Sequence, residues 1–458
     1  MPSIPGPATE GSKTWSPEHL FDTSPTSSET WQKIHTHLNA NEFRAAIATA
    51  FELPPDDNFT YHASASVNLA QVEAAIHAGR ANGLHAWYVQ PATRISSDNP
   101  DDKSSKQKKQ QHEEQQDSVV VHPGFPSLQI TGYPPATDIQ AYVSIFDPTK
   151  SAANSLKSLS ANAKKGSLRA SIAEYLLSKR YLDPSIAVPK VKVSSRTSSK
   201  TSSATQSQQS SGGVSSPSRN GNPAGHLQNP ALDFWAYSCL ALEYAGPNAT
   251  TSLVKASHHM LPVYMHHFGC VVPSYEALQI IKKLAAGRRG GVIDMGSGNG
   301  YWTFMLRRLM LLDGDGGGGG GSDAVPPTAT TAAVVAAVDN GQSRWRTTWI
   351  SDTVVADGVQ YLRRRSGCPD AVLLLVYPIV GGGGGGGEFT RKVLDAYTGD
   401  VIVVAGTQNG NGYTGFKDVV MDEYMSEHRP GWEKVAAVPL PSFAGKDDAL
   451  FAFRRKKT

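Results

Sequence analysis

An apolar run, Val292-Ile293-Asp294-Met295, passes directly into Gly296-Ser297-Gly298-Asn299-Gly300 and then into Tyr301-Trp302. Glycines at every second position permit a tight turn of positive φ and leave no side chain between the backbone and a bound molecule. A helix opening just after them turns its unpaired N–H groups towards an anionic group at the same place. The chemistry implied is the gripping of an extended polar small molecule. A dinucleotide site spaces its glycines G-x-G-x-x-G. Counted from Gly296, the last position of that pattern falls on Tyr301, and counted from Gly298 it falls on Thr303, so the spacing argues against it. The glycine tracts at 316–321 and 381–387 lack the Lys-Ser/Thr ending of a phosphate loop and read as low-complexity expansions of connections.

Downstream, further apolar runs end in residues able to touch a ligand: Val338-Asp339-Asn340, Val355-Ala356-Asp357-Gly358, and the run from Ala371 to Tyr377-Pro378. With Asp294, Gly296, Gly298 and Gly300 in D-x-G-x-G-x-G spacing, residues 272–454 resemble the class I S-adenosylmethionine-dependent methyltransferases. Gly300-Tyr301-Trp302 and the Leu-Leu-Leu-x-Tyr-Pro ending at Pro378 are also similar to a methyltransferase-like group found in fungi and bacteria. The resemblance implies S-adenosyl-L-methionine as cofactor. It implies a turn at Gly296, Ser297, Gly298, Asn299 and Gly300 around the methionine and ribose parts, with Asp294 orienting the amino end. Asp339 is implied on the ribose hydroxyls and Asp357 beside the adenine amino group; Asp357 equally suits an N-cap of the helix that follows it.

The family often carries D/N-P-P-Y/F after its fourth strand, where this chain has Tyr377-Pro378-Ile379-Val380. It therefore lacks the amide or carboxylate that would hold an amine nucleophile. Tyr377 is left as the candidate catalytic residue, positioning a substrate by hydroxyl or ring, with a packed aromatic as the alternative. The function expected is methyl transfer by direct displacement to an acceptor that the sequence does not name. The rival is a catalytically inactive methyltransferase fold serving as a binding or scaffold module; an NAD-dependent oxidoreductase is opposed by the glycine spacing.

Before this motif, His258, His259, Tyr264, His266, His267, Tyr275 and Glu276 crowd one segment. The histidines come as adjacent pairs without a cysteine or carboxylate to complete a ligand set, so no metal is expected. A histidine or tyrosine there, His266 or His267 above all, is a candidate base or substrate clamp. The polar stretch at 406–416 follows the fifth strand and suits either a substrate loop or a surface turn.

The elements that must position these residues alternate. Strands are expected at 291–295, 332–338, 352–356, 371–377 and 401–405, with helices near 301–312, 358–365 and 389–397. Two final strands at 432–438 and 449–454 suit an antiparallel hairpin. The expected fold is α/β: a Rossmann-like, doubly wound, mostly parallel seven-stranded sheet with an antiparallel C-terminal hairpin, spanning 229–458. Upstream, residues 1–27 read as a disordered arm and 28–193 as an α-rich region. In that region two short helices are expected over 29–51, broken near 39–41, with further helices at 67–82 and 168–178, strands at 84–89, 128–131 and 141–146, and a disordered insertion at about 94–117. The Ser/Gln-rich stretch 194–228 reads as a flexible linker.

Composition sets outer limits. A chain of 458 residues exceeds one ordinary core, and hydrophobic residues make up 39% against 18% charged. A net charge of +3 indicates no global attraction for nucleic acid. Three cysteines, Cys239, Cys270 and Cys368, fit a reducing compartment better than a disulfide framework. No apolar run reaches the length of a membrane span, and the N-terminus has no leader pattern, so a soluble cytoplasmic or nuclear protein is expected. The oligomeric state is left open.

Overall fold

The computed structural model describes residues 6–21, 25–63, 66–92, 120–189, 228–312, 335–378, 387–408 and 419–457. The expected insertion at 94–117, the linker over 194–227, the glycine tracts at 316–321 and 381–386, and the loop residues 409–416 lie outside that set.

The fold is mixed α/β around an eight-stranded sheet. Its strands in chain order are β1 (Tyr181–Leu182), β2 (Val292–Met295), β3 (Val335–Asp339), β4 (Val354–Val355), β5 (Val372–Val376), β6 (Val401–Thr407), β7 (Trp432–Pro439) and β8 (Asp448–Arg455). Across the sheet they run β4-β3-β2-β5-β6-β8-β7-β1. From β4 to β6 every neighbouring pair is parallel. The pairs β6–β8, β8–β7 and β7–β1 are antiparallel. β2 and β6 are buried along their whole lengths, and Leu373, Leu374 and Leu375 of β5 are fully buried, as strands covered on both faces require. β7 and β8 form the hairpin expected at the end of the chain, with a register irregularity between Lys434 and Ala436.

Three expectations are corrected. The sheet has eight strands rather than seven, because Tyr181–Leu182 adds to β7 from the N-terminal region. Residues 141–146, read as a strand, instead end the helix Ala136–Val143 and form the turn Ser144–Phe146, putting Ile139, Tyr142, Ile145 and Phe146 on one buried face. Within the supposed disordered arm, Ala8–Thr9 pair antiparallel with Thr347–Thr348, and Trp15, Leu20 and Phe21 are buried. Trp15 donates from Nε1 to the carbonyl of Ala50 at 3.0 Å and lies edge-on to Trp349 at 5.2 Å.

The N-terminal helices include Pro25–Asn39, Phe43–Phe51, Leu69–Ala78, Ala152–Ala161 and Leu168–Lys179. Asn68 starts the third of these with a reciprocal capping box to Gln71, and Gly83 ends the following turn in the left-handed region. Their apolar faces do not make a separate core. Ile47, Phe51, Tyr142 and Ile172 belong to the same buried cluster as Phe268, Tyr301, Leu374 and Val403. The N-terminal half is thus packed onto one face of the sheet, and a second, smaller cluster around Leu373, Leu375 and Phe451 covers the other. Among the described residues, no helix is long and apolar enough to cross a membrane.

Candidate functional site

The glycine turn leaves β2 at the carboxyl edge of the parallel strands. Gly296, Gly298 and Gly300 all have positive φ, at 78°, 58° and 82°. Their neighbourhoods differ. A Cβ on Gly300 would lie 2.5 Å from Ile350 Cγ1, so this glycine answers to packing. A Cβ on Gly298 would lie 2.9 Å from Trp345 Cζ2, because the indole covers that residue. Gly296 is exposed with nothing within 4 Å of that position, so the turn offers its open backbone face there.

β3 holds the turn in place. The N–H groups of Gly296 and Ser297 donate to the carbonyl of Val338, at 2.7 and 3.1 Å. Asp339 accepts from Gly298 N at 3.0 Å through Oδ2 and from Gly341 N at 2.7 Å through Oδ1. Since a carboxylate has about four acceptor sites, this half-buried group keeps capacity for a ligand hydroxyl. Asp357 is exposed and accepts from Gln360 N at 2.9 Å, capping the helix Gly358–Arg363.

Asp294 is fully buried between Ala337 and Leu374 in register. Its Oδ2 accepts from the Thr303 hydroxyl at 2.7 Å, while its Oδ1 has no protein partner. Burial pushes this carboxyl up to about 7 against the Thr303 bond, with the negative charge of Asp339 adding to the rise. Ser297 Oγ is also buried without a protein partner. Asn299 faces inward, donating to the carbonyl of His267 at 3.0 Å and accepting from Tyr301 N at 3.2 Å.

Tyr377 follows β5 at the same edge. It is buried and has φ of 47°, which a bulky side chain adopts only where its surroundings enforce it. Its N–H donates to Ala405 O at 2.8 Å, and its hydroxyl donates to Asp448 Oδ1. Asp448 opens β8 opposite Thr407 of β6 and is almost wholly buried. Burial pushes its carboxyl up to about 7, against the Tyr377 bond and the charge of Lys446, and its Oδ2 has no protein partner. Beside it, Asp447 accepts from Tyr175 Oη at 2.7 Å and from Gln408 Nε2 at 3.1 Å. The sequence reading missed both acids. The available signal was a pair of adjacent carboxylates in a short strand connection, where at least one must face the interior.

His266 and His267 are both engaged with the N-terminal segment. His267 is fully buried, stacked on Phe51 at 3.8 Å, and hydrogen-bonded to Tyr61 Oη at 3.0 Å and Thr347 Oγ1 at 2.8 Å. His266 Nε2 meets the backbone of His62. Both tie the helix Met260–Phe268 to the N-terminal segment, and the His267 carbonyl also accepts from Trp349 Nε1 at 2.6 Å. Among the described residues, no group of three or more His, Cys, Asp or Glu side chains is disposed to hold a metal ion.

The edge therefore gathers the glycine turn, Asp339, Asp357, Tyr377 and Asp448, with Asp294 and Asn299 beneath the surface. No protein-family model matches the chain, and the comparison with curated proteins gives no match.

Proposed function

We propose that the chain is an S-adenosyl-L-methionine-dependent methyltransferase of the class I, Rossmann-like kind. The observation that carries this reading is strand order. Counted from β2, the parallel strands run 3-2-1-4-5 across the sheet, so the order reverses between β2 and β5. In open α/β sheets ligands bind in the crevice at that switch point, outside the carboxyl ends of the strands. The glycine turn leaves one of the two strands and Tyr377 leaves the other.

The residues present fit the cofactor. Gly296 gives open backbone, Asp339 keeps acceptor capacity for vicinal hydroxyls, and Ser297 Oγ and Asp294 Oδ1 lack protein partners near the amino-acid end. Asp357 stands at the end of the next strand for the adenine. When bound, the cofactor supplies an activated methyl group on a sulfonium, so the protein contributes alignment, which is worth up to roughly 7–11 kcal/mol of barrier. Tyr377 holds Asp448 in place by its hydroxyl, and Asp448, near neutrality by burial, takes the proton released by an acceptor hydroxyl or amine at Oδ2. The three free cysteines are consistent with action in the cytoplasm or nucleus.

One observation favours the scaffold reading: the indole of Trp345 lies over Gly298. Donor consumption separates the two. With fractionated cell extract as the acceptor source, wild type is expected to convert S-adenosylmethionine to S-adenosylhomocysteine. Asp448→Asn is expected to slow this by about 10²–10⁴-fold with donor binding unchanged. Binding without conversion by wild type in any fraction would favour the scaffold.

A further inference from the structure

Among the described residues fourteen buried side-chain atoms have no protein hydrogen-bond partner, and eight of them belong to Asp448 and to five side chains in the segments 85–87 and 257–259. They are His85 Nε2, Trp87 Nε1, Ser257 Oγ, both ring nitrogens of His258, both of His259, and Asp448 Oδ2. Buried polar groups are otherwise almost always paired, and each one left unpaired is costly, so such a concentration marks a region shaped for something besides stability. His258 is 3% exposed and Trp87 2%.

The groups adjoin one another and the catalytic edge. His258 lies 5.5 Å from the Phe443 ring and feels the charges of His259 and Lys446. His259 feels His85, and Lys446 feels Asp448. Phe443 lies 4.4 Å from Tyr264, which itself senses Asp448. A Cβ on Gly445 would lie 3.0 Å from Trp87 Cζ3, so the connection between β7 and β8 passes against the indole.

The chemistry of these side chains selects a ligand. Burial pushes His258 and His259 down, the latter to about 4, so both rings are uncharged at neutral pH and each offers one donor and one acceptor. His85 Nδ1 meets Glu243 at 3.0 Å, which fixes the proton on Nδ1 and leaves Nε2 an acceptor. Trp87 Nε1 is a donor only. Lys446 is opposed by the charge of Asp448, and Arg80 and Glu243 pair with each other, so neither an anion nor a cation meets an unopposed charge. Trp87, Tyr244, Tyr264 and Phe443 give flat apolar surfaces.

We infer that His85, Trp87, His258 and His259 form the acceptor subsite, and that it takes an uncharged aromatic molecule bearing a hydroxyl. This rests on the methyltransferase reading for the word acceptor, but the binding itself does not. On this proposal the acceptor hydroxyl is directed towards Asp448. In the transfer its oxygen gains the methyl carbon, the carbon–sulfur bond breaks with its electron pair on sulfur, and the hydroxyl proton passes to Asp448 Oδ2.

The test uses the full chain, histidine-labelled for NMR and free of cofactor, titrated with 4-methylphenol, 4-methylbenzoate and 4-methylbenzylammonium. The phenol is expected to shift the ring signals of His258 and His259 saturably, and the two ions are not. His258→Phe is expected to weaken phenol binding about tenfold. Trp87→Phe, which removes one donor and keeps an aromatic ring, is expected to weaken it several-fold with far-ultraviolet circular dichroism unchanged, and serves if His258→Phe does not fold. No histidine shift with the phenol, or equal shifts with either ion, would overturn the subsite. Calorimetry of S-adenosylmethionine on the same sample keeps the two ideas apart: phenol shifts without cofactor binding would retain the subsite and reject the methyltransferase.

Discussion

Asp57→Ala is expected to lower the stability of the fold by about 3–5 kcal/mol, the cost of leaving a buried charge without its partner. The side chains of Arg346 and Asp57 are 1% and 9% exposed. The guanidinium donates to both oxygens of Asp57, to the hydroxyl of Tyr61, and through Nε to the carbonyl of Glu10 at 3.1 Å, and it lies 4.4 Å over the ring of Phe59. Arg346 follows Trp345, the residue over Gly298, and its N–H donates to His266 O at 3.2 Å. This ion pair is therefore a weld between the N-terminal segment and the loop beside the glycine turn. Asp57→Leu combined with Arg346→Met is expected to recover most of the loss, because the pair as a whole contributes little once its desolvation is counted. Urea unfolding of the three proteins measures both effects; a loss below about 1 kcal/mol for Asp57→Ala would deny the weld.

The second large effect is on pH dependence. Asp294 and Asp448 take up protons near pH 7 in the folded protein and near pH 4 when unfolded. Between those values the folded state binds more protons, so stability falls as pH rises from about 4 to 7 and then levels. Each acid accounts for roughly 4 kcal/mol of that fall. Glu243, Asp352 and Asp400 act in the opposite sense: arginine partners hold their carboxyls low, and their smaller, solvent-screened contributions disappear as pH falls through the acid range. Urea midpoints are thus expected to peak near pH 4–5, decline to about pH 7 and level above it. Asp448→Asn is expected to remove about half of the decline, and a flat profile from pH 5 to 8 would show that neither carboxyl is held as described.

The parts of the site carried by local sequence were legible, and the parts assembled across the chain were not. Asp294, the three glycines, Asp339 and Asp357 each sit within a few residues of a strand end, where apolar run and polar stop mark the edge of a sheet. Asn299 matched the pattern by position but spends its amide on the His267 carbonyl, a contact no motif encodes. Tyr377 could be named, yet Asp448, its partner 71 residues away, could not, because only the β6–β8 pairing brings the two together. His258 and His259 looked like the other histidine pair in sequence, and only packing separates a pair with hydrogen-bond partners from one without. The short run at 141–146 was read as strand because so few apolar residues fit either period. Trp15 and Phe21 were passed over because isolated aromatics among Ser, Thr and Pro carry no periodicity, although each finds Trp349.

The central claim is tested most directly by calorimetric titration of S-adenosyl-L-methionine into wild type and into Gly296→Asp, with NAD as a control ligand. Gly296 faces open space, so the substitution costs only about 1–2 kcal/mol of backbone strain while placing a carboxylate where the cofactor's own would approach. Binding of S-adenosylmethionine by wild type, lost in a variant of unchanged circular dichroism, with no binding of NAD, is the predicted result. A folded wild type that binds no S-adenosylmethionine, or binds it no better than NAD, would contradict it.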